Sequence, residues 1–203
     1  MHDTTNTTKM KTNFVLALIS LAIAPGQAFV PISTTPSPTL ALKAESSENS
    51  FLDTVQTSFK IAQESNAAGY GFKQILADVL AGEDYDKEAI SASIEDTISS
   101  APCVMYTWES SPSCKKAVEA FEVIGAKPKI VRLDDPWEDG NPVRAMLGRK
   151  VGRTSVPFVF VGGNYIGGYD GGLEGNSDAS GMVDLAFQGK LRDMLAEAGA
   201  MQS

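Results

Sequence analysis

The chain has 203 residues, 43% of them hydrophobic and 21% charged, the balance of a soluble globular protein. Its formal net charge of −8 repels phosphate backbones and argues against nucleic acid as a general partner. One histidine, His2, and two cysteines, Cys103 and Cys114, exclude histidine-ligated metal sites, four-cysteine zinc or iron–sulfur sites and a disulfide scaffold within one chain.

Lys9 and Lys11 form a short basic start, and the eleven residues Phe14 to Ala24 are almost all apolar. Small residues around Pro25-Gly26 and Ala28 complete the three-part pattern of a secretory signal peptide over residues 1–28. The apolar run is too short to span a bilayer as a helix, so no membrane span is expected in the mature chain. Residues 29–47 are hydroxyl- and proline-rich with few charges, which is transit-peptide composition. The junction at Ala28-Phe29 resembles the bipartite plastid presequence of algae with secondary, red-derived plastids, where the aromatic residue just after the signal cleavage site, here Phe29, is the sorting mark. That resemblance implies a plastid location; plain secretion is the alternative.

Residues 48–100 lack strand alternation. Phe51, Leu52, Val55 and Phe59 fall at helical spacing behind Ser50 as a candidate N-cap. A second helix is expected over Phe72 to Leu80, with Ile75, Leu76, Val79 and Leu80 on one face and Gly82 as C-cap. A third, from Asp86 to Ser99, repeats Ile90, Ile94 and Ile98. Such stripes read as a helical cap packed on the next domain; the alternative is a partner-docking module.

The pattern changes in residues 101–203. Cys103 to Trp108 reads as a buried strand, and Glu109-Ser110-Ser111 as a loop. Pro112 starts a helix that runs to about Ile124, with Gly125 as its stop. Lys129 to Leu133 is a second strand. Asn141-Pro142 opens a helix as cap plus first-turn proline, ending near Gly148. Phe158 to Val161 and Tyr165-Ile166 form a hairpin around Gly162-Gly163-Asn164. Helices over about Gly181–Phe187 and Lys190–Glu197 close the chain. The order β-α-β-α-β-β-α argues for an α/β sheet with helices on its faces.

Four ordered pieces of this domain resemble the glutaredoxin family. They are Ser111-Pro112-Ser113-Cys114-Lys115-Lys116 at the active-site turn, Ile124-Gly125-Ala126 with Val131-Arg132-Leu133-Asp134, Val151-Gly152-Arg153-Thr154-Ser155-Val156-Pro157, and the hairpin Phe160 to Asp170. The resemblance implies a thioredoxin-like fold: a three-layer α/β/α domain on a small mixed four-stranded sheet, here preceded by an α-helical segment. It implies a glutathione-dependent thiol–disulfide oxidoreductase of cell redox homeostasis, with glutathione as ligand and protein thiols or disulfides as partners. It implies a cis Val156-Pro157 bond, and it gives Arg144, Ser155, Val156, Pro157, Gly168, Tyr169 and Asp170 to glutathione.

The departures lie at the chemistry. The family's first active-site cysteine is the nucleophile, and Ser111 stands in its place. A serine hydroxyl has no thiolate-like state near neutral pH, and the mature chain offers no histidine to activate it. Cys114 matches the second, resolving position and is the candidate catalytic thiol. It reads either as a low-pKa thiol at a helix N-terminus or as an inert, half-buried remnant. Cys103 lies roughly 15 Å from the strand's active-site end and reads as a core residue. Trp108 takes the place of a lysine, and Ser113 that of an aromatic residue. A cluster bridged between monomers needs the first cysteine, so none is expected. The alternative to an enzyme is a non-catalytic module that binds glutathione or protein on the same fold.

Overall fold

A computed structural model describes residues 38–202, with side chains from residue 53 onward. The signal peptide over 1–28 and residues 29–37 of the transit-like stretch lie outside the described residues. The elements are α1 (Pro38–Ala67), α2 (Phe72–Ala81), α3 (Lys87–Ser99), β1 (Cys103–Thr107), α4 (Pro112–Ile124), β2 (Lys129–Arg132), α5 (Trp137–Val151), β3 (Phe158–Val161), β4 (Asn164–Gly167), α6 (Met182–Phe187) and α7 (Lys190–Glu197). The chain divides into two compact units, residues 1–64 and 65–203. No helix among the described residues is long and apolar enough to cross a membrane.

The four strands form one mixed sheet in the order β2-β1-β3-β4. β1 runs parallel to β2 and antiparallel to β3, and β3 pairs antiparallel with β4. Period-two alternation places successive side chains on opposite faces. Cys103, Met105, Val159 and Val161 join Phe121, Leu185, Leu191 and Leu195 in one core. Val104, Tyr106, Phe158 and Phe160 join Ile94, Ile98, Leu133 and Leu147 in the other. Thus α4, α6 and α7 cover one face, and α3 and α5 cover the other. Both faces are buried, which is why these strands read as continuous apolar runs. The result is the expected thioredoxin-like, three-layer α/β/α arrangement. Gly162 and Gly163, with φ of 56° and 82°, make the β3–β4 turn in the left-handed backbone that glycine adopts without penalty.

Four sequence expectations change. Helix α1 begins at Pro38, so Ser50 is inside it rather than its N-cap. Proline suits a helix's first position, and Leu40-Ala41-Leu42-Lys43-Ala44-Glu45 are all good helix formers. Phe59 of that helix is exposed. The buried residues of α2 are Gln74, Ala77 and Asp78, while Ile75, Leu76, Val79 and Leu80 are only partly buried. Helix α5 starts a turn before Asn141-Pro142, because Gly140 presses on the Leu133 carbonyl, which a Cβ would meet at 1.9 Å. Pro142 therefore sits inside the helix, and Gly152, not Gly148, closes it with φ of 76°. Gly148 is interior because a Cβ there would lie 2.1 Å from Gln74 Oε1 and 2.2 Å from Thr154 Cγ2.

The buried face of α2 is polar because its groups satisfy one another. Asp78 accepts from Ser65 Oγ, from Gln74 Nε2 at 2.7 Å and from Arg149 Nη2 of α5 at 3.1 Å. Gln74 Nε2 also donates to the Ala145 carbonyl at 3.0 Å. This knot fastens α2 to α5. Its carboxylate is only 2% exposed, so removing it strands the Arg149 charge in the interface.

Asp78→Ala is therefore expected to lower unfolding free energy by about 3 kcal/mol in urea titrations, more than a surface substitution does. A pH effect follows from β1. Burial pushes the Cys103 thiol up from 9.0 to about 12. Burial also raises the Tyr106 phenol from 10.0 to about 12, against a lowering contribution from Thr97. The unfolded chain loses these protons first, so stability is full below about pH 9 and declines as pH rises toward 12. Urea midpoints measured across that range should fall, and the fall should flatten in Cys103→Ala with Tyr106→Phe.

Candidate functional site

Sheet register brings three loops to one end of the molecule. Tyr106 pairs with Phe158, so the exit from β1 lies beside the approach to β3. Val159 pairs with Gly167, so the exit from β4 lies there too. Trp108 to Ser111, Thr154 to Pro157 and Gly168 to Asp170 therefore share one rim of the sheet.

The first loop ends at the N-terminus of α4. Ser111 has extended φ and ψ of −80° and 122°, and its hydroxyl accepts the Cys114 N–H at 3.4 Å. This is N-capping, reinforced by Pro112 at the first helical position. The Ser111 oxygen is thus engaged with backbone, and no base is bonded to its hydroxyl among the described residues. Cys114 is only 2% exposed. Its sulfur accepts the Trp108 N–H at 3.5 Å, turned toward the end of β1. Both cysteines are free thiols, and Cys103 lies in the core as expected.

The loop is braced from β2. The Glu109 N–H donates to Asp134 at 2.8 Å, and Arg132 bridges Glu109 at 2.6 Å and Asp134 at 3.2 Å. Burial works against the Asp134 charge, but the Glu109 N–H and the Arg132 guanidinium outweigh it and hold the carboxyl below its usual range.

Trp108 packs between two partners. Its ring centroid is 5.1 Å from that of Trp137, and the Arg144 guanidinium lies 4.5 Å over it. Arg144 Nε donates to the Thr154 carbonyl at 3.1 Å. Burial lowers the Arg144 pKa, and among the described residues no carboxylate pairs with it. Arg144 is thus a half-buried cation over an indole, with no hydrogen bond at its terminal nitrogens among the described residues. Trp108 Nε1 of that indole and Asn141 Oδ1, three residues before Arg144, are buried and also have no hydrogen-bond partner among the described residues.

The second loop carries a cis Val156-Pro157 bond, and a second cis bond, Asp135-Pro136, precedes α5. Val156 lies before the start of β3, and its N–H and C=O make no backbone hydrogen bond among the described residues. Ser155 Oγ accepts from Lys73 Nζ of α2 at 3.4 Å.

The third loop is shaped by glycine. Gly167 and Gly181, with φ of 108° and 106°, meet at a separation where a Gly167 Cβ would lie 2.7 Å from Gly181 backbone. The Gly168 N–H is spent on the Gly171 carbonyl at 2.7 Å, whereas those of Tyr169 and Asp170 bond to nothing within the described residues. Arg153 supports the turn by donating to the Gly171 carbonyl. A Cβ on Gly168 would approach the Pro157 carbonyl at 3.1 Å, which ties the second loop to the third. Lys116 of α4 lies 6.0 Å from the Tyr169 ring and ties the first loop to it.

Ser111, Cys114, Arg144, Ser155, Val156, Pro157, Gly168, Tyr169 and Asp170 thus lie toward one rim of the sheet, while Cys103 lies in the core. Sequence reasoning missed three contributors. Arg153 props the glycine turn, Lys73 reaches Ser155 from the helical segment, and Trp137 completes the stack on Trp108. Trp137 and Arg144 lie seven residues apart on α5, a spacing that puts both on one helix face; nothing in the sequence pairs Lys73 with Ser155.

Comparison with known proteins agrees with this architecture. A family model described as glutaredoxin matches residues 103–166. Glutaredoxin-C6 of Oryza sativa subsp. japonica is 36% identical over 112 residues, spanning 55% of this chain and 90% of that one. Glutaredoxin-C4 of Arabidopsis thaliana is 35% identical over 106 residues, spanning 52% of this chain and 70% of that one. Among solved structures, a buckwheat glutaredoxin–glutathione complex superposes with a TM-score of 0.49 at 28% identity, covering 57% of this chain and 96% of that one. With nearly all of the rice relative's length matched at more than a third identity, the chain belongs to the glutaredoxin family.

Proposed function

We propose that this protein binds glutathione on the rim described above and serves thiol–disulfide chemistry with Cys114 as its one reacting thiol. The observation that carries the reading is Arg144. A half-buried cation without a counter-charge is costly, and a bound carboxylate would complete it. Glutathione has two carboxylates and a peptide backbone between them. The glycine carboxylate would pair with Arg144, whose fork suits bidentate contact. The cysteinyl backbone would pair with the unspent N–H and C=O of Val156, beside Ser155 and Pro157. The γ-glutamyl carboxylate would accept from the N–H groups of Tyr169 and Asp170, with Gly168 shaping the turn.

Ser111 takes the nucleophile's position in this reading, so turnover falls to Cys114. Its thiolate attacks the glutathione sulfur of a protein–glutathione mixed disulfide. A Cys114–glutathione bond forms, the original S–S bond breaks, and the protein leaves as a thiolate that takes a proton from water. A second glutathione thiolate then attacks the bound glutathione sulfur, releasing oxidised glutathione and returning the Cys114 thiolate.

A second reading is favoured by one observation. Cys114 is 2% exposed and its sulfur faces the Trp108 N–H. A thiol so enclosed meets a disulfide slowly, which suits a module that binds glutathione without turnover.

Glutathione titrated into the full chain should quench tryptophan fluorescence, since Trp108 lies under Arg144. Arg144→Ala should raise the Kd by about tenfold or more, as loss of a charged hydrogen bond predicts. Glutathione-dependent reduction of a mixed disulfide should vanish in Cys114→Ser while binding persists. Equal activity of wild type and Cys114→Ser, both at background, would leave the binding module; no binding at all would remove both readings.

A further inference from the structure

A second cleft adjoins the rim and shares only Ser155 with the proposed glutathione site. Its volume is about 470 Å³, and it lies between the start of α2 and the segment that follows α5. Tyr70, Phe72 and Lys73 form one wall; Arg153, Thr154 and Ser155 form the other. Gly148 on its lining leaves room that a Cβ would close, since that atom would strike Gln74 and Thr154.

Charge and exposure set this cleft apart from the rest of the surface. The chain as a whole carries −8, yet the cleft is lined by Lys73 and by no carboxylate, the Arg153 guanidinium being turned away to the Gly168–Gly171 turn. Lys73 makes no ion pair among the described residues; its only hydrogen bond is the 3.4 Å contact to Ser155. Phe72 beside it is 60% exposed, and Tyr70 is 37% exposed with its ring 5.8 Å from the Arg149 guanidinium. Exposed aromatic rings around an unpaired lysine are a poor arrangement for water and a good one for an amphipathic chain. Ser155 belongs both to this cleft and to the edge that leads into Val156.

We propose that the cleft binds a segment of the protein partner that carries acidic residues around a large apolar side chain and runs on toward Val156. A carboxylate of that segment meets Lys73, and its apolar side chain lies on Phe72 and Tyr70. Because α2 supplies Phe72 and Lys73, the helical segment selects the partner, while the sheet rim handles the sulfur chemistry. The inference rests on the proposed function only for the partner's being a thiol or disulfide protein; the cleft itself is independent of it.

The test uses the full chain and a fluorescein-labelled peptide with glutamates around a phenylalanine, beside the same peptide with glutamines instead. Anisotropy should show the glutamate peptide binding about tenfold more tightly at low salt, with the advantage shrinking as salt rises. Lys73→Glu should abolish that preference, Phe72→Ser should weaken both peptides, and Cys114→Ser should change neither. Lys73 and Phe72 are exposed, so both variants fold. Equal affinity for the two peptides overturns the inference, as does a Lys73→Glu curve that matches wild type. Displacement by millimolar inorganic phosphate with no effect of Phe72→Ser would make it a plain anion site and also overturn it. If the glutamate peptide binds and glutathione does not, the cleft stands and the glutathione reading falls; the reverse removes only the cleft.

Discussion

Cys103 and Met105 of β1 face one layer of helices while Val104 and Tyr106 face the other, and β3 alternates in the same way. Burial on both sides fixes the register, because a one-residue slip would exchange every side chain between two differently shaped cores. Register in turn decides where the strands end. Trp108 leaves β1 on one side of the start of β3, and Gly167 leaves β4 on the other side. The candidate site is thus a consequence of core packing: three loops meet because two apolar strands can pair in only one way.

What the rim holds is uneven. Among the described residues, three features offer themselves to a ligand: Arg144 without a carboxylate partner, the unpaired backbone edge at Val156 and the unpaired N–H groups of Tyr169 and Asp170. Its chemical centre is reduced. Ser111 caps α4 with a hydroxyl that has no base, and Cys114, one helical turn inward, is enclosed. Helix-capping is what serine does well at this position, so Ser111 stabilises the turn that leads into α4.

Much of this was legible in the residues. Apolar runs at Cys103–Thr107 and Phe158–Val161 gave the strands, Pro112 and Gly125 bracketed α4, and Gly162-Gly163 marked the hairpin, because each signal is local. Misreadings arose where long-range contact overrode local preference. Gly148 reads as a helix stop, but it is glycine to admit Gln74 from seventy-four positions upstream. The face read from Ile75, Leu76, Val79 and Leu80 passes over Asp78 and Gln74, which Arg149 and the Ala145 carbonyl satisfy inside. Asn141-Pro142 reads as a helix start, but Gly140 against the Leu133 carbonyl moves the start back a turn. In each case the partner lies on another element, and periodicity carries no information about it. The same limit hid Lys73, whose place at Ser155 depends on how α2 docks on α5.

The central claim is that the rim is built to bind glutathione while Ser111 stands at the accessible nucleophile position, leaving the enclosed Cys114 as the one thiol near it. The most direct measurement is glutathione-dependent reduction of a small mixed disulfide by Ser111→Cys beside wild type, with mass spectrometry of the trapped adduct. The account predicts that Ser111→Cys gains activity by about a hundredfold or more, as general nucleophile restoration at a preorganised site implies, and that the adduct forms on the new thiol. A Ser111→Cys protein that folds, stays at the wild-type rate and forms no glutathione adduct would contradict it.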